Sequence, residues 1–211
     1  MSVQKIRSPR DPKLEVTVYE GHFATRNCHN SHYIDITRIK HEHDMAREAA
    51  MAIASRYSFF TMIDTIVCVD GSEVMGSFLA FHLTKKGSYF INANKSVNVV
   101  PTEFDENGRP VFRDNLLPMI SGKNILILIS TVKSGKTIAR MMECLGNYAA
   151  TVQGIATVFS TAEKLGDIPV YSLFTQEDIP GYICADPEEC PMCKAGKKID
   201  AIANSYGLSK L

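Results

Sequence analysis

The chain has no excess of either charge. Its 23 lysines and arginines balance 23 aspartates and glutamates. A dedicated nucleic-acid binder usually carries a basic surplus to meet the phosphate backbone, so that class is set aside. No apolar run approaches the ~20 residues that span a bilayer, and no membrane partner is expected. Met1 to Lys13 carries Lys5, Arg7, Arg10, Asp11 and Lys13 around no apolar stretch, unlike a secretory leader. The expectation is a cytoplasmic protein with reduced thiols. Internal repeats and low-complexity tracts are also absent. What is present is ordinary: 211 residues, 45% hydrophobic and 22% charged. That is the size of one domain with a small appendage, able to bury roughly 70% of the surface of its unfolded form.

Hydrophobic patterning divides the chain. Leu14-Glu-Val-Thr-Val-Tyr19 alternates with period two and predicts a strand, and Tyr33–Ile36 a second extended piece. Asp44 to Tyr57 is rich in Ala, Met and Arg and predicts a helix with Asp44 as its N-cap. Thr65-Ile-Val-Cys-Val69 is continuously apolar and stops at Asp70-Gly71-Ser72-Glu73, where a helical pattern begins. Ser88–Asn92 predicts a short strand. Asn94 to Asn115, polar with Asn107-Gly108 and two prolines, predicts a long mobile loop or hairpin. Ile125–Ile129 is the purest apolar run, and beyond Thr137 the residues Ile138, Met141, Met142 and Leu145 share a helical face that ends at Gly146. Val152–Ser160 and Val170–Phe174 complete the strands. Strands apolar on both faces, alternating with helices, indicate a doubly wound parallel sheet of the α/β class. We expect an N-terminal arm and hood segment over 1–43, an α/β core over 44–175 and a cysteine-containing C-terminal segment over 176–211.

Open parallel sheets bind ligands outside the carboxyl ends of their strands. Two strands here end in polar turns that open a helix, Asp70–Glu73 and Ser130–Thr137. In the second, successive backbone N–H groups and a helix N-terminus combine with the hydroxyls of Thr131, Ser134 and Thr137 and with Lys133 and Lys136, the chemistry a phosphate monoester requires. A plain capped turn is the bland alternative. Gly135-Lys136-Thr137 also invites a P-loop reading, but the glycine that motif needs four residues earlier is Ser130, so a P-loop-like phosphate binder is a remote alternative.

Of the six cysteines, Cys68 and Cys144 sit in apolar stretches as small buried hydrophobes. Cys190 and Cys193 form one CxxC pair, with Cys184 nearby. That is half a zinc signature. A fourth ligand would have to come from Cys28, His22, His29 or His32 if the termini meet. The expectation is therefore no metal, with the thiols closing a C-terminal turn. His41 and His43 are expected on different faces of a helix, at the surface.

Three segments together resemble the type I phosphoribosyltransferases, most of all the orotate branch of that family. Gly21–Tyr33 is similar to a glycine-histidine-phenylalanine and histidine-serine pattern near the N-terminus of that branch. Ile125–Leu145 resembles the phosphoribosyl diphosphate motif, with Thr131, Val132, Lys133, Ser134, Gly135, Lys136 and Thr137 on the 5′-phosphate loop. Cys190–Gly196 looks like the C-terminal cysteine segment of some members. The resemblance places Asp70, Gly71, Ser72 and Glu73 on the pyrophosphate loop. It implies Mg2+ with phosphoribosyl diphosphate, a homodimer, and Lys95 as catalytic lysine, the only cation in Asn92–Asn98; Arg109 and Arg113 are substitutes later in the loop. The family's adjacent acidic pair before the phosphate loop is replaced by Ile129-Ser130. Two functions follow: a transferase joining ribose 5-phosphate to a pyrimidine such as orotate, or a non-catalytic metabolite- or nucleotide-binding regulatory protein of the same fold.

Overall fold

In the computed structural model, the described residues are 2–204 and 206–211. Met1, first residue of the expected N-terminal arm, lies outside them. In chain order the elements are β1 (Val3–Arg7), β2 (Glu15–Ala24), β3 (His29–Asp35), α1 (Thr37–His41), α2 (His43–Tyr57), β4 (Thr65–Val69), α3 (Glu73–Leu83) and β5 (Asn98–Pro101). There follow β6 (Glu103–Phe104), β7 (Pro110–Val111), β8 (Asn124–Val132), α4 (Lys136–Gly146), β9 (Thr151–Ser160), β10 (Lys164–Leu165) and β11 (Ile168–Thr175). The chain ends with β12 (Cys184–Ala185), α5 (Pro191–Lys194), β13 (Ala201–Asn204) and β14 (Gly207–Lys210).

The central sheet runs β10-β11-β9-β8-β4-β5 and is parallel except for β10. Its strands read as unbroken apolar runs because both faces are covered. Ile66, Cys68, Leu126 and Leu128 turn toward α2 and α3, packing with Ala50, Ile53, Met75 and Leu79. Their neighbours Val67, Val69, Ile127 and Ile129 turn to the other side, against Ile138, Met141 and Leu145 of α4. Each such side chain contributes roughly 1.5–3 kcal/mol when fully buried, so packing rather than intrinsic propensity holds these short helices. Gly76 shows how closely α3 presses on the sheet. A Cβ there would lie 2.5 Å from the Cys68 sulfur.

A second sheet, β12-β3-β2-β13-β14 with β1 on β2, forms the hood. Both termini build it: β13 pairs in parallel with the end of β2, Ala201 opposite Phe23.

Several local expectations are corrected. Ser88–Asn92 forms turns, not a strand; the Asn92 side chain is occupied bridging Ile63 N and Thr61 O. For the stretch 94–115 the structure favours the hairpin of the two expected alternatives. That stretch supplies the edge strand β5 and the small hairpin β6–β7. Helix α2 begins at His43 with Glu42 as N-cap, so Asp44 is a first-turn residue that favours the positive helix end. His41 ends α1 and His43 begins α2, so they do not share a helix. Cys144 is half-buried, its sulfur donating to Pro110 O. The N-terminal arm is exposed yet anchored: β1 pairs with β2, the Ser8 hydroxyl donates to Leu173 O, and Arg10 lies over the Tyr171 ring.

Candidate phosphate-binding site

Strand β8 carries its apolar alternation to Val132 and then turns through Lys133-Ser134-Gly135 into α4. Gly135 is the N-cap at φ 71°, a left-handed backbone that costs an L-residue ~1–2 kcal/mol. The turn is braced from behind, where Thr161 Oγ1 donates to Lys133 O (2.7 Å) and Thr157 Oγ1 to Ser130 O (3.1 Å). The first N–H groups of α4 have no acceptor within the helix, and the helix adds partial positive charge at that end.

Beside it, β4 ends in Asp70 and Gly71, two consecutive left-handed residues (φ 58° and 72°). Ser72 is buried with its hydroxyl donating to Leu128 O, 2.9 Å away, and Ser130 Oγ donates to Asp70 O. These bonds lock the two strand-end turns side by side. A Cβ at position 71 would lie 3.3 Å from the Lys40 ammonium, so this buried lysine of α1 covers the turn.

The two turns floor a cavity of about 340 Å³. Among its lining residues Arg26, Lys40, Lys133 and Arg140 bring positive charge, whereas Asp70 is the single carboxylate. Burial pushes the Asp70 carboxyl up, opposed by Lys40 and Lys133. Desolvation pushes the ammoniums of Lys40 and Lys133 down; the charges of Asp70 and Glu73 oppose this at Lys40, and those of Cys28, Cys184 and Asp70 at Lys133. Cys28 also faces the cavity, its thiol brought down to about 6 chiefly by a hydrogen bond with Cys184. The lining thus carries an excess of cationic side chains over carboxylates.

The sequence-predicted residues divide accordingly. Ile129, Ser130, Thr131, Val132, Lys133, Ser134, Gly135, Thr137 and Asp70 line the cavity. Lys136 does not; it turns away to pair with Asp186 at 2.6 Å. Of the expected pyrophosphate loop, Gly71, Ser72 and Glu73 lie off the lining, Ser72 as a buried brace and Glu73 in the first turn of α3. Ile129 is only 2% exposed and belongs to the apolar layer under α4, so the polar positions at the strand end are Ser130 and Thr131.

Lys95 requires the largest correction. It is exposed in the turn before β5, where its charge acts on Asp64. Because β5 runs parallel to β4, Lys95 sits at the amino end of the sheet, about one strand length (roughly 15 Å) from the carboxyl-end cavity. The segment that reaches the cavity follows β5, where Phe104 and Gly108 contribute to the wall. Arg113 in that segment pairs with Glu103. Sequence reading missed Arg26, Asn27, Lys40 and Arg140. Only Arg140 had a local signal, lying three residues after Thr137 on the same helical face.

Cys190 and Cys193 close the C-terminal turn as expected, but against His22 and His29, which lie in the hood.

A family model described as phosphoribosyl transferase domain matches residues 35–186. The chain is 25% identical to an orotate phosphoribosyltransferase of Thermotoga maritima over 183 residues, covering 84% of this chain and 87% of the relative. It is 26% identical to that of Chlorobium phaeobacteroides over 188 residues, 86% of each. Among solved structures, Mycobacterium tuberculosis orotate phosphoribosyltransferase superposes with a TM-score of 0.52 at 13% identity, covering 78% of this chain and 93% of that one. Adenine phosphoribosyltransferase from Trypanosoma brucei gives 0.53 at 12% identity, covering 89% and 79%.

Proposed function

The chain belongs to the phosphoribosyl transferase domain family, and on that premise we propose that it binds a 5′-phosphorylated ribose, either phosphoribosyl diphosphate or a nucleotide, mainly as a binding protein rather than a fast transferase. The observation that carries this is the cavity's charge: four cationic side chains and a helix N-terminus around one carboxylate. A phosphate monoester brings roughly −1.5 to −2 charge at neutral pH, and its oxygens suit the backbone donors of the Lys133–Thr137 turn.

The same inventory argues against rapid transfer. At the strand end Ile129 and Ser130 stand where the family resemblance calls for carboxylates, and of the two only Ser130 offers a hydroxyl. Hydrogen bonds to charged groups contribute roughly 1.5–3 kcal/mol each. Two such contacts, made as positive charge grows on the ribose, correspond to roughly 10²–10⁴ in rate. Magnesium does not fit as a protein-held ion. Asp70 is the one lining carboxylate, and Lys40 and Lys133 already offset its charge, whereas such sites use one or two carboxylates left available to the metal.

The second reading is transfer of the ribosyl group to a pyrimidine such as orotate. Similarity to orotate enzymes over more than four-fifths of the chain favours it. Soaking crystals in sulfate or phosphate tests the shared premise. We expect an anion on the backbone N–H groups between Lys133 and Thr137; a turn left empty, with anions elsewhere, contradicts it.

A further inference from the structure

Outside the lining of the phosphate cavity, four chemically matched side chains converge across the hood. His22 Nε2 lies 3.1 Å from His29 Nδ1, 3.6 Å from Cys190 Sγ and 3.7 Å from Cys193 Sγ. Cys193 Sγ lies 3.3 Å from His29 Nδ1, and all four atoms fall within 4.8 Å of one another. Zinc bonds of about 2.0–2.3 Å in a tetrahedron set ligand atoms about 3.3–3.8 Å apart, which matches these separations. We propose that His22, His29, Cys190 and Cys193 form a structural zinc site, contrary to the expectation drawn from the lone CxxC.

Hydrogen bonding supports the assignment. The His22 ring is fully buried, and its Nδ1 is 2.8 Å from Lys197 O. A carbonyl can only accept, so Nδ1 carries the proton and Nε2 presents a lone pair. Three further polar groups converge on that lone pair, which can accept one good hydrogen bond. A cation at the centre satisfies all four. The Nδ1–H donation to a carbonyl is also the outer-shell contact that fixes a metal-bound histidine. Asp200 adds a second brace, its carboxylate accepting from the His22 backbone N–H at 2.7 Å.

The fold gives the ion a task. Between positions 186 and 200, Cys190 is the one buried residue, so this segment has almost no apolar core of its own. Segments of that kind are commonly held by a metal or a disulfide, and both cysteines are free thiols here. The donors come from three places: His22 on β2, His29 at the start of β3, and Cys190 and Cys193 at α5. Four protein ligands leave no open position, which marks a structural rather than a catalytic ion. Soft thiolates paired with imidazoles in a tetrahedral set select zinc over magnesium or calcium. The ion also grips both stems of the β2–β3 turn, and that turn carries Arg26, Asn27 and Cys28 into the cavity. Zinc loss should therefore loosen the cavity wall as well as the C-terminal segment.

The test uses the full chain purified without chelator. Elemental analysis should find one zinc per chain. Apo protein titrated with Co2+ should develop the visible bands of tetrahedral cobalt with a thiolate-to-metal charge-transfer band. Cys193→Ser, at the exposed rim, should lower metal affinity by more than the roughly 10–100-fold that loss of an outer-shell partner costs, while Cys144→Ser leaves it unchanged. Should Cys190→Ser or His22→Asn fail to fold, the cobalt titration of the unaltered chain and the Cys193 variant still decide the matter. Substoichiometric zinc together with no tetrahedral cobalt spectrum in folded, reduced protein would overturn the proposal. So would metal retained in Cys193→Ser, or an iron–sulfur spectrum in place of zinc.

Discussion

Replacing Gly135 by alanine separates the phosphate turn from a merely structural one. Gly135 holds φ 71° and ψ −8° at the start of α4. An alanine in that conformation costs ~1–2 kcal/mol. Its Cβ would also stand 2.8 Å from Leu165 Cδ2, the far end of a flexible side chain, which can swing aside. The backbone term should therefore dominate. If the turn keeps its shape, the full cost appears as lost stability, read as a lower midpoint in urea. If it relaxes to avoid the strain, the N–H groups lose their convergence and phosphate binding suffers instead. A shift of 1–2 kcal/mol corresponds to roughly 5–30-fold in an equilibrium. We expect ribose 5-phosphate affinity, measured by calorimetry, to fall within that range. Gly135→Asn, which tolerates the left-handed region, should recover much of the loss. Unchanged affinity in Gly135→Ala without a matching loss of stability would refute the strain assigned to this turn.

Lys133→Met should weaken phosphate binding by roughly 10–100-fold, the scale of a lost charged hydrogen bond, whereas Lys136→Ala should leave it nearly unchanged because that ammonium is committed to Asp186. Affinity should rise with pH as the phosphate loses its second proton near pH ~6, and desolvation, which lowers the Lys133 pKa, sets the alkaline limit. Binding should then decline on the alkaline side earlier than a lysine at ~10.4 would dictate; a flat alkaline limb would contradict this. Ile129→Asp, buried in the layer beneath α4, should cost at least the ~2–5 kcal/mol of a large-to-small core change plus the burial of a carboxylate. Ser130→Asp, at a cavity-lining position, should cost less stability and raise any transfer rate more than affinity; equal melting temperatures for the two would show that Ile129 is misplaced. The expected homodimer gains a surface from Phe60 and Tyr89, 94% and 98% exposed near the contacting Phe59 and Phe90, and sedimentation should show Phe60→Ser shifting a dimer toward monomer, while a monomeric parent protein would count against it.

Much of the fold was legible because the sheet's strands are buried on both faces, which leaves uninterrupted apolar runs at Thr65–Val69 and Ile125–Ile129. The phosphate turn was legible for the same reason, as a sharp polar break between such a run and an amphipathic helix. Lys95 was misplaced because loop composition does not reveal on which side of a short edge strand a loop lies. Only the parallel pairing of β5 with β4 settles that. Lys40 and Arg26 reach the cavity from other segments and leave no periodic trace. His22 and His29 meet Cys190 and Cys193 through hood pairing between the two ends of the chain, a contact that no local pattern encodes.

The central claim is that the cavity retains its phosphate cradle while lacking the groups that speed transfer. A single sample should be titrated with phosphoribosyl diphosphate by calorimetry and then assayed for orotate consumption under saturating conditions. We predict stoichiometric binding, with turnover at least roughly a hundredfold below the ~10 per second typical of enzymes. Turnover near ~10 per second, or no binding heat at millimolar ligand, would contradict the account.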